Sequence, residues 1–138
     1  MKAKELLIKE GYTLVGVKED IVYTSTFNGI RPIMDKVKDN ALYFKDYEIA
    51  DKVIGKSAAL LLVRSQVKSI DALVLSEHAK TLLDTYKIPY TYDTLVPYII
   101  NRNKDGMCPM EESVISITDL EEGFKALQAT LKRLQGGK

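Results

Sequence analysis

The sequence predicts an α/β domain in which a mixed sheet lies between layers of helices, and three stretches carry that expectation. Tyr12 to Val17 and Ile21 to Ser25, joined through Lys18-Glu19-Asp20, have the apolar and β-branched content of two strands in an antiparallel hairpin. Ile70-Asp71-Ala72-Leu73-Val74-Leu75, the helical spacing of Ala79, Leu82, Leu83 and Tyr86, and then Tyr90-Thr91-Tyr92 read as strand, helix and strand, a right-handed parallel crossover. Between these units, the run Asp51 to Val63 is small or apolar on every side from Ser57 onward. It is expected to be the buried central helix, over about residues 50–64.

The other elements follow from local signals. Residues 2–10 suit a short amphipathic helix that Gly11 stops, and Asn28-Gly29 marks a turn. Pro32 suits the first turn of a helix over Ile33, Met34 and Val37, while Ala41 to Tyr47 is a loop or a brief strand. Ser76 is placed to cap the helix that follows the buried strand. Asn101 to Gly106 is turn-rich, and Pro109 opens a helix over Met110 to Ile117. Thr118-Asp119-Leu120-Glu121 reads as a capping box before a stripe of Leu120, Phe124, Leu127, Leu131 and Leu134 that ends at Gly136-Gly137.

Composition narrows the function classes. A chain of 138 residues is most simply one domain, 1–138, able to bury a core without disulfides or metal. Twenty basic residues against 19 acidic ones leave a net charge of +1, so no overall field favours nucleic acid or an anionic membrane. The single cysteine, Cys108, excludes an intrachain disulfide, and with His78 as the sole imidazole a transition-metal site is short of soft ligands. These features fit a cytoplasmic location, and neither a secretory leader nor a membrane span is expected. No cofactor is expected. Ala50 to Ser57 approaches a P-loop, but Ala50 replaces the first glycine and no clear strand leads into it.

The candidate site is a pocket at the start of the central helix. Asp51, Lys52 and Lys56 fall in its expected first two turns, where lysines oppose the macrodipole and repel one another. A bound phosphate or carboxylate would compensate them; an ordinary pair of Glu48 with Lys52, with Asp51 as cap, explains them equally well. Asn101 and Arg102 offer an amide and a planar fork for an anion or a base edge, and their alternative is to stay in water. Cys108 precedes Pro109 at a helix start, where the dipole favours a nucleophilic thiolate and Glu111 and Glu112 oppose it if they face the thiol. A small buried hydrophobe is the plainer reading of such a cysteine. His78 reads as a surface residue, and Tyr86, Tyr90, Tyr92 and Tyr98 as core and sheet surface.

Ala50-Asp51-Lys52-Val53-Ile54-Gly55-Lys56-Ser57 with the run to Val63, then Val74-Leu75-Ser76-Glu77, Leu95 to Arg102, and Gly106-Met107-Cys108-Pro109-Met110-Glu111 resemble a domain-of-unknown-function family assigned to the cytidine deaminase-like superfamily. The resemblance spans about residues 10–117 and implies a three-layer α/β/α sandwich. It also implies that the zinc motifs of deaminases would fall at Ala50-Asp51-Lys52 and at Ser76-Glu77-His78-Ala79-Lys80, and neither motif is present. A pocket without zinc remains, lined by Asp51, Lys52, Lys56, Ser76, Glu77, Asn101 and Arg102. The expected partner is a small anionic, nucleotide-like molecule, with Cys108 as the nucleophile if the protein is an enzyme. The alternative is a catalytically silent domain acting through a protein partner or as a homo-oligomer.

Overall fold

A computed structural model describes residues 2–27, 29–101 and 103–136. Asn28 of the expected Asn28-Gly29 turn, and Arg102 of the expected site, lie outside the described residues. Helix α1 (Lys2–Glu10) ends at Gly11, whose φ of +73° suits a residue without a side chain. Strands β1 (Leu14–Lys18) and β2 (Ile21–Ser25) form the expected antiparallel hairpin. Helix α2 (Arg31–Val37) carries Pro32 in its first turn, where the missing N–H removes no helical bond.

The stretch expected to open the central helix is instead a strand, β3 (Glu48–Ile54). It pairs antiparallel with β1 and parallel with β4 (Ser69–Ser76), so that Asp51 sits opposite Leu14 on one side and Ala72 on the other. The β-branched Ile49, Val53 and Ile54 fit this role better than a helical one. Gly55 is extended, with φ −97° and ψ −178°, and caps helix α3 (Lys56–Arg64). A strand therefore does lead into Gly55-Lys56-Ser57, contrary to the sequence expectation. Because the turn is the single residue Gly55, no loop is left to wrap a phosphate.

Helix α4 (Glu77–Thr85) begins at Ser76, whose hydroxyl accepts the Ala79 N–H at 3.0 Å, and β5 (Tyr90–Val96) completes a five-stranded mixed sheet in the order β2-β1-β3-β4-β5. Helix α5 (Pro109–Ser113) stops short of Ile117. In helix α6 (Leu120–Gly136) the cap is Asp119 rather than Thr118, the Asp119 carboxylate accepting the Glu122 N–H at 2.8 Å.

The main core lies on one face of the sheet. There Leu60, Leu61 and Leu62 of α3 are fully buried among Ile33 and Met34 of α2, Leu82 and Leu83 of α4, Met110 of α5 and Phe124 of α6. Each such leucine contributes roughly 1.5–3 kcal/mol by leaving water. The other face carries α1, which packs Ala3 and Leu7 on Val15, Val17 and Ala50. Gly123 lets α6 approach α3, for a Cβ there would overlap the Leu60 side chain. No described helix is long and apolar enough to cross a membrane.

Candidate functional site

Strands β3, β4 and β5 run parallel, so their carboxyl ends open on one rim, where α3 and α4 begin. In open α/β sheets that rim is where ligands bind. The starts of α3 and α4 converge on one side chain that the sequence analysis weighed only against Cys108. Glu111, fully buried in α5, accepts the Lys56 N–H at 2.7 Å and the Ser76 hydroxyl at 2.5 Å on Oε2, and the Ile99 N–H at 2.6 Å on Oε1. The anion expected at the start of the central helix is thus supplied by the protein itself. The orphan N–H of a helix start and the positive end of its dipole both favour a carboxylate there. Glu112, its neighbour, is exposed.

Lys56 is 6% exposed, and its ammonium donates to the Ile115 carbonyl at 3.0 Å. Desolvation lowers its pKa, and the charge of Glu111 opposes that shift. Asp51 and Lys52, expected beside it in the helix, lie instead within β3. Asp51 is buried with Ile49 and Ala50, whereas Lys52 and Val53 are exposed. Burial pushes the Asp51 carboxyl up to about 8, although the backbone N–H groups of Val53 and Lys52 act the other way. The Val53 N–H reaches Asp51 Oδ1 at 3.2 Å. Burial therefore favours the neutral acid at Asp51, which lies inside the fold and not in a first helical turn.

Of the remaining expected site residues, Ser76 is buried on Glu111, and Glu77 is exposed at the first position of α4. Asn101 folds onto its own turn, donating to the Asp105 carboxylate at 2.8 Å and accepting the Asp105 N–H at 3.2 Å. Cys108 is half-buried, caps α5 without a side-chain hydrogen bond, and packs against the main core. Its N–H donates to the Ile99 carbonyl at 2.7 Å. Ile99 is thus held between Glu111 and Cys108, and it belongs to the wall of a hollow of about 500 Å³ formed with Val53, Val74, Val96, Pro97, Tyr98 and Ile100. Val53, Tyr98 and Ile100 are exposed there.

The model of a domain of unknown function, DUF1893, typified by TM1506, matches residues 2–131. The chain belongs to the DUF1893 family. The crystal structure of a DUF1893 family protein, TM1506 from Thermotoga maritima, superposes with a TM-score of 0.84 at 24% identity, over 93% of this chain and 86% of that one. At that identity the likeness establishes a shared fold. No curated protein matches the chain.

In this DUF1893 domain the polar groups drawn together are Lys56, Ser76 and Glu111, only two of which the sequence pointed to. Glu111 left no signal in the sequence, because α5 ends at Ser113 and so short a helix has no pattern to separate Glu111 from the exposed Glu112. The apolar hollow left none, because Val53, Val74 and Val96 come together only through strand pairing.

Proposed function

We propose that this DUF1893 domain is a zinc-independent member of the cytidine deaminase-like superfamily that binds a small, nucleotide-like ligand at the carboxyl ends of β3, β4 and β5. The supporting observation is the exposed apolar hollow of Val53, Val74, Val96, Pro97, Tyr98, Ile99 and Ile100 on that rim. A flat apolar body suits its walls, and a concave apolar surface of this size suits a small molecule. Lys52, exposed in β3, is the cation assigned to the anionic end of the ligand. The start of α3 has no such role, because Glu111 already accepts its N–H.

The residues do not fit zinc. His78 and Cys108 are the only imidazole and thiol in the sequence, and among the described residues no three His, Cys, Asp or Glu side chains cluster to hold a metal ion. In the enzymatic form of the proposal Cys108 is the nucleophile, next to the hollow through its hydrogen bond to Ile99.

The test is a thermal-shift screen with AMP, ADP, adenosine and ribose 5-phosphate. Nucleotides are expected to raise Tm, by an amount set by ligand excess over Kd. Val53→Asp is expected to abolish the shift for every compound, and Lys52→Ala to weaken the phosphorylated ones alone. If no compound raises Tm, the ligand reading falls. The same exposed Val53, Tyr98 and Ile100 then favour the second reading, a silent domain that covers this rim with a protein partner or another copy of itself.

A further inference from the structure

The hollow on the rim owes two of its walls to Tyr98 and Ile100, which are 39% and 51% exposed, so little packing of their own fixes where they point. Their directions follow from the backbone of the residue between them. Both backbone groups of Ile99 are engaged: its N–H donates to Glu111 Oε1 at 2.6 Å, and its carbonyl accepts the Cys108 N–H at 2.7 Å. Beyond it, Ile100 pairs with Met107 across an antiparallel turn that the Asn101 N–H closes on the Gly106 carbonyl at 2.8 Å.

The Ile99 side chain rests on Gly55. A Cβ at Gly55 would lie 2.7 Å from Ile99 Cγ1 and 3.1 Å from Glu111 Oε2. The torsions of Gly55, φ −97° and ψ −178°, are open to any residue, so the glycine answers to space and not to backbone conformation. Neither neighbour can yield to a methyl group cheaply. Glu111 is fully buried and accepts three hydrogen bonds, and Ile99 is tied through both of its backbone groups. Gly55 and Glu111 together leave Ile99 one position.

We propose that Gly55 and Glu111 are positioning residues of the rim site: they fix Ile99, and Ile99 aims Tyr98 and Ile100 at the ligand. This inference rests on the reading of the rim as a small-ligand site. Both positioning residues are buried, and they act through Ile99 without touching the ligand. A wall ordered in advance spares the ligand the loss of freedom in two exposed side chains, which amounts to roughly a tenfold gain in affinity. The link also runs the other way, because a ligand seated on this wall steadies the bonds of Glu111, the one to the Lys56 N–H included.

The experiment measures the binding of AMP and ADP by calorimetry, and amide hydrogen exchange by nuclear magnetic resonance, on the full chain and three variants. Gly55→Ala and Glu111→Gln are each expected to weaken nucleotide binding by roughly tenfold at a temperature where every variant stays folded. Gly123→Ala, which disturbs the contact of α6 with α3, is expected to bind as the parent does, and a loss of the same size there overturns the proposal by making the effect one of stability. Without ligand, the Ile99 amide is expected to exchange slowly in the parent and about tenfold faster in Gly55→Ala, relative to the Leu61 amide. An Ile99 amide that exchanges fast in the parent overturns the proposal as well. A parent that binds neither nucleotide while Ile99 is protected takes away the rim ligand, and the positioning role with it. A parent that binds them no better than Gly55→Ala and Glu111→Gln leaves the rim reading standing and overturns the positioning role alone.

Discussion

The backbone N–H of Lys56 and the carboxylate of Glu111 meet at 2.7 Å across a separation of 55 residues, and that bond places a buried negative charge at the start of the most buried helix of the fold. Glu111 also satisfies Ser76 and Ile99, so its loss strands three donors at once. Glu111→Ala is expected to destabilise the protein by roughly 3–5 kcal/mol, the range for breaking a buried charged network. Glu111→Gln will do less harm but will not be neutral, since its amide NH2 must face a donor. Urea titration with unchanged slope is the check, and a shift of Glu111→Ala below about 1 kcal/mol refutes the role.

Asp51 gives the pH prediction. Its ordinary value is 3.8 and burial raises it to about 8, so between those values the folded chain keeps a proton that the unfolded chain has released. Stability from this group therefore falls as pH rises from about 4 to about 8 and is flat above, with a slope on the order of 1 kcal/mol per pH unit inside the window. Asp51→Asn is expected to flatten the profile and to match or exceed the parent protein above pH 8. Denaturation midpoints across that range decide it, and an unchanged slope in the variant assigns the pH dependence elsewhere.

Gly123→Ala sets a Cβ against Leu60, whose side chain is fully buried and cannot swing into solvent. Overpacking of this kind costs about 1–3 kcal/mol. Leu60→Ala alone opens a cavity and costs roughly 2–5 kcal/mol. The double variant is expected to lose less than the sum, and strict additivity in a double-mutant cycle would show that the helices simply move apart.

Cys108 touches the core with one side and neighbours the rim through Ile99, so Cys108→Ser should cost no more than about 1–2 kcal/mol. If the hollow binds the nucleotide that the thermal screen selects, that compound will slow iodoacetamide labelling of Cys108. Labelling at the same rate with and without the compound separates the thiol from the site.

Local signals made much of the fold legible. The stripe from Leu120 to Leu134, the hairpin, Ser76 as a cap and the buried strand from Ile70 all depend on neighbours within a few residues. β3 failed because Val53 and Ile54 run through Gly55 and Lys56 into the small and apolar stretch from Ser57 to Val63, and so short an apolar run reads alike as strand or as the opening of a buried helix. Only Gly55 marks the change. The site failed for a related reason. Lys56 and Ser76 could be named, but their common acceptor comes from α5, and no local pattern tells an inward glutamate from an outward one in so short a helix.

The position of Glu111 also has a temporal consequence. During synthesis β3, α3, β4, α4 and β5 all emerge before residue 111, so the N–H groups of Lys56 and Ile99 and the Ser76 hydroxyl exist for a time without the oxygen atoms that close them. Water must serve those groups in the nascent chain, and the sheet rim stays hydrated until α5 arrives. The clasp is thus fastened from the carboxyl-terminal side, after every strand and helix it joins has been made.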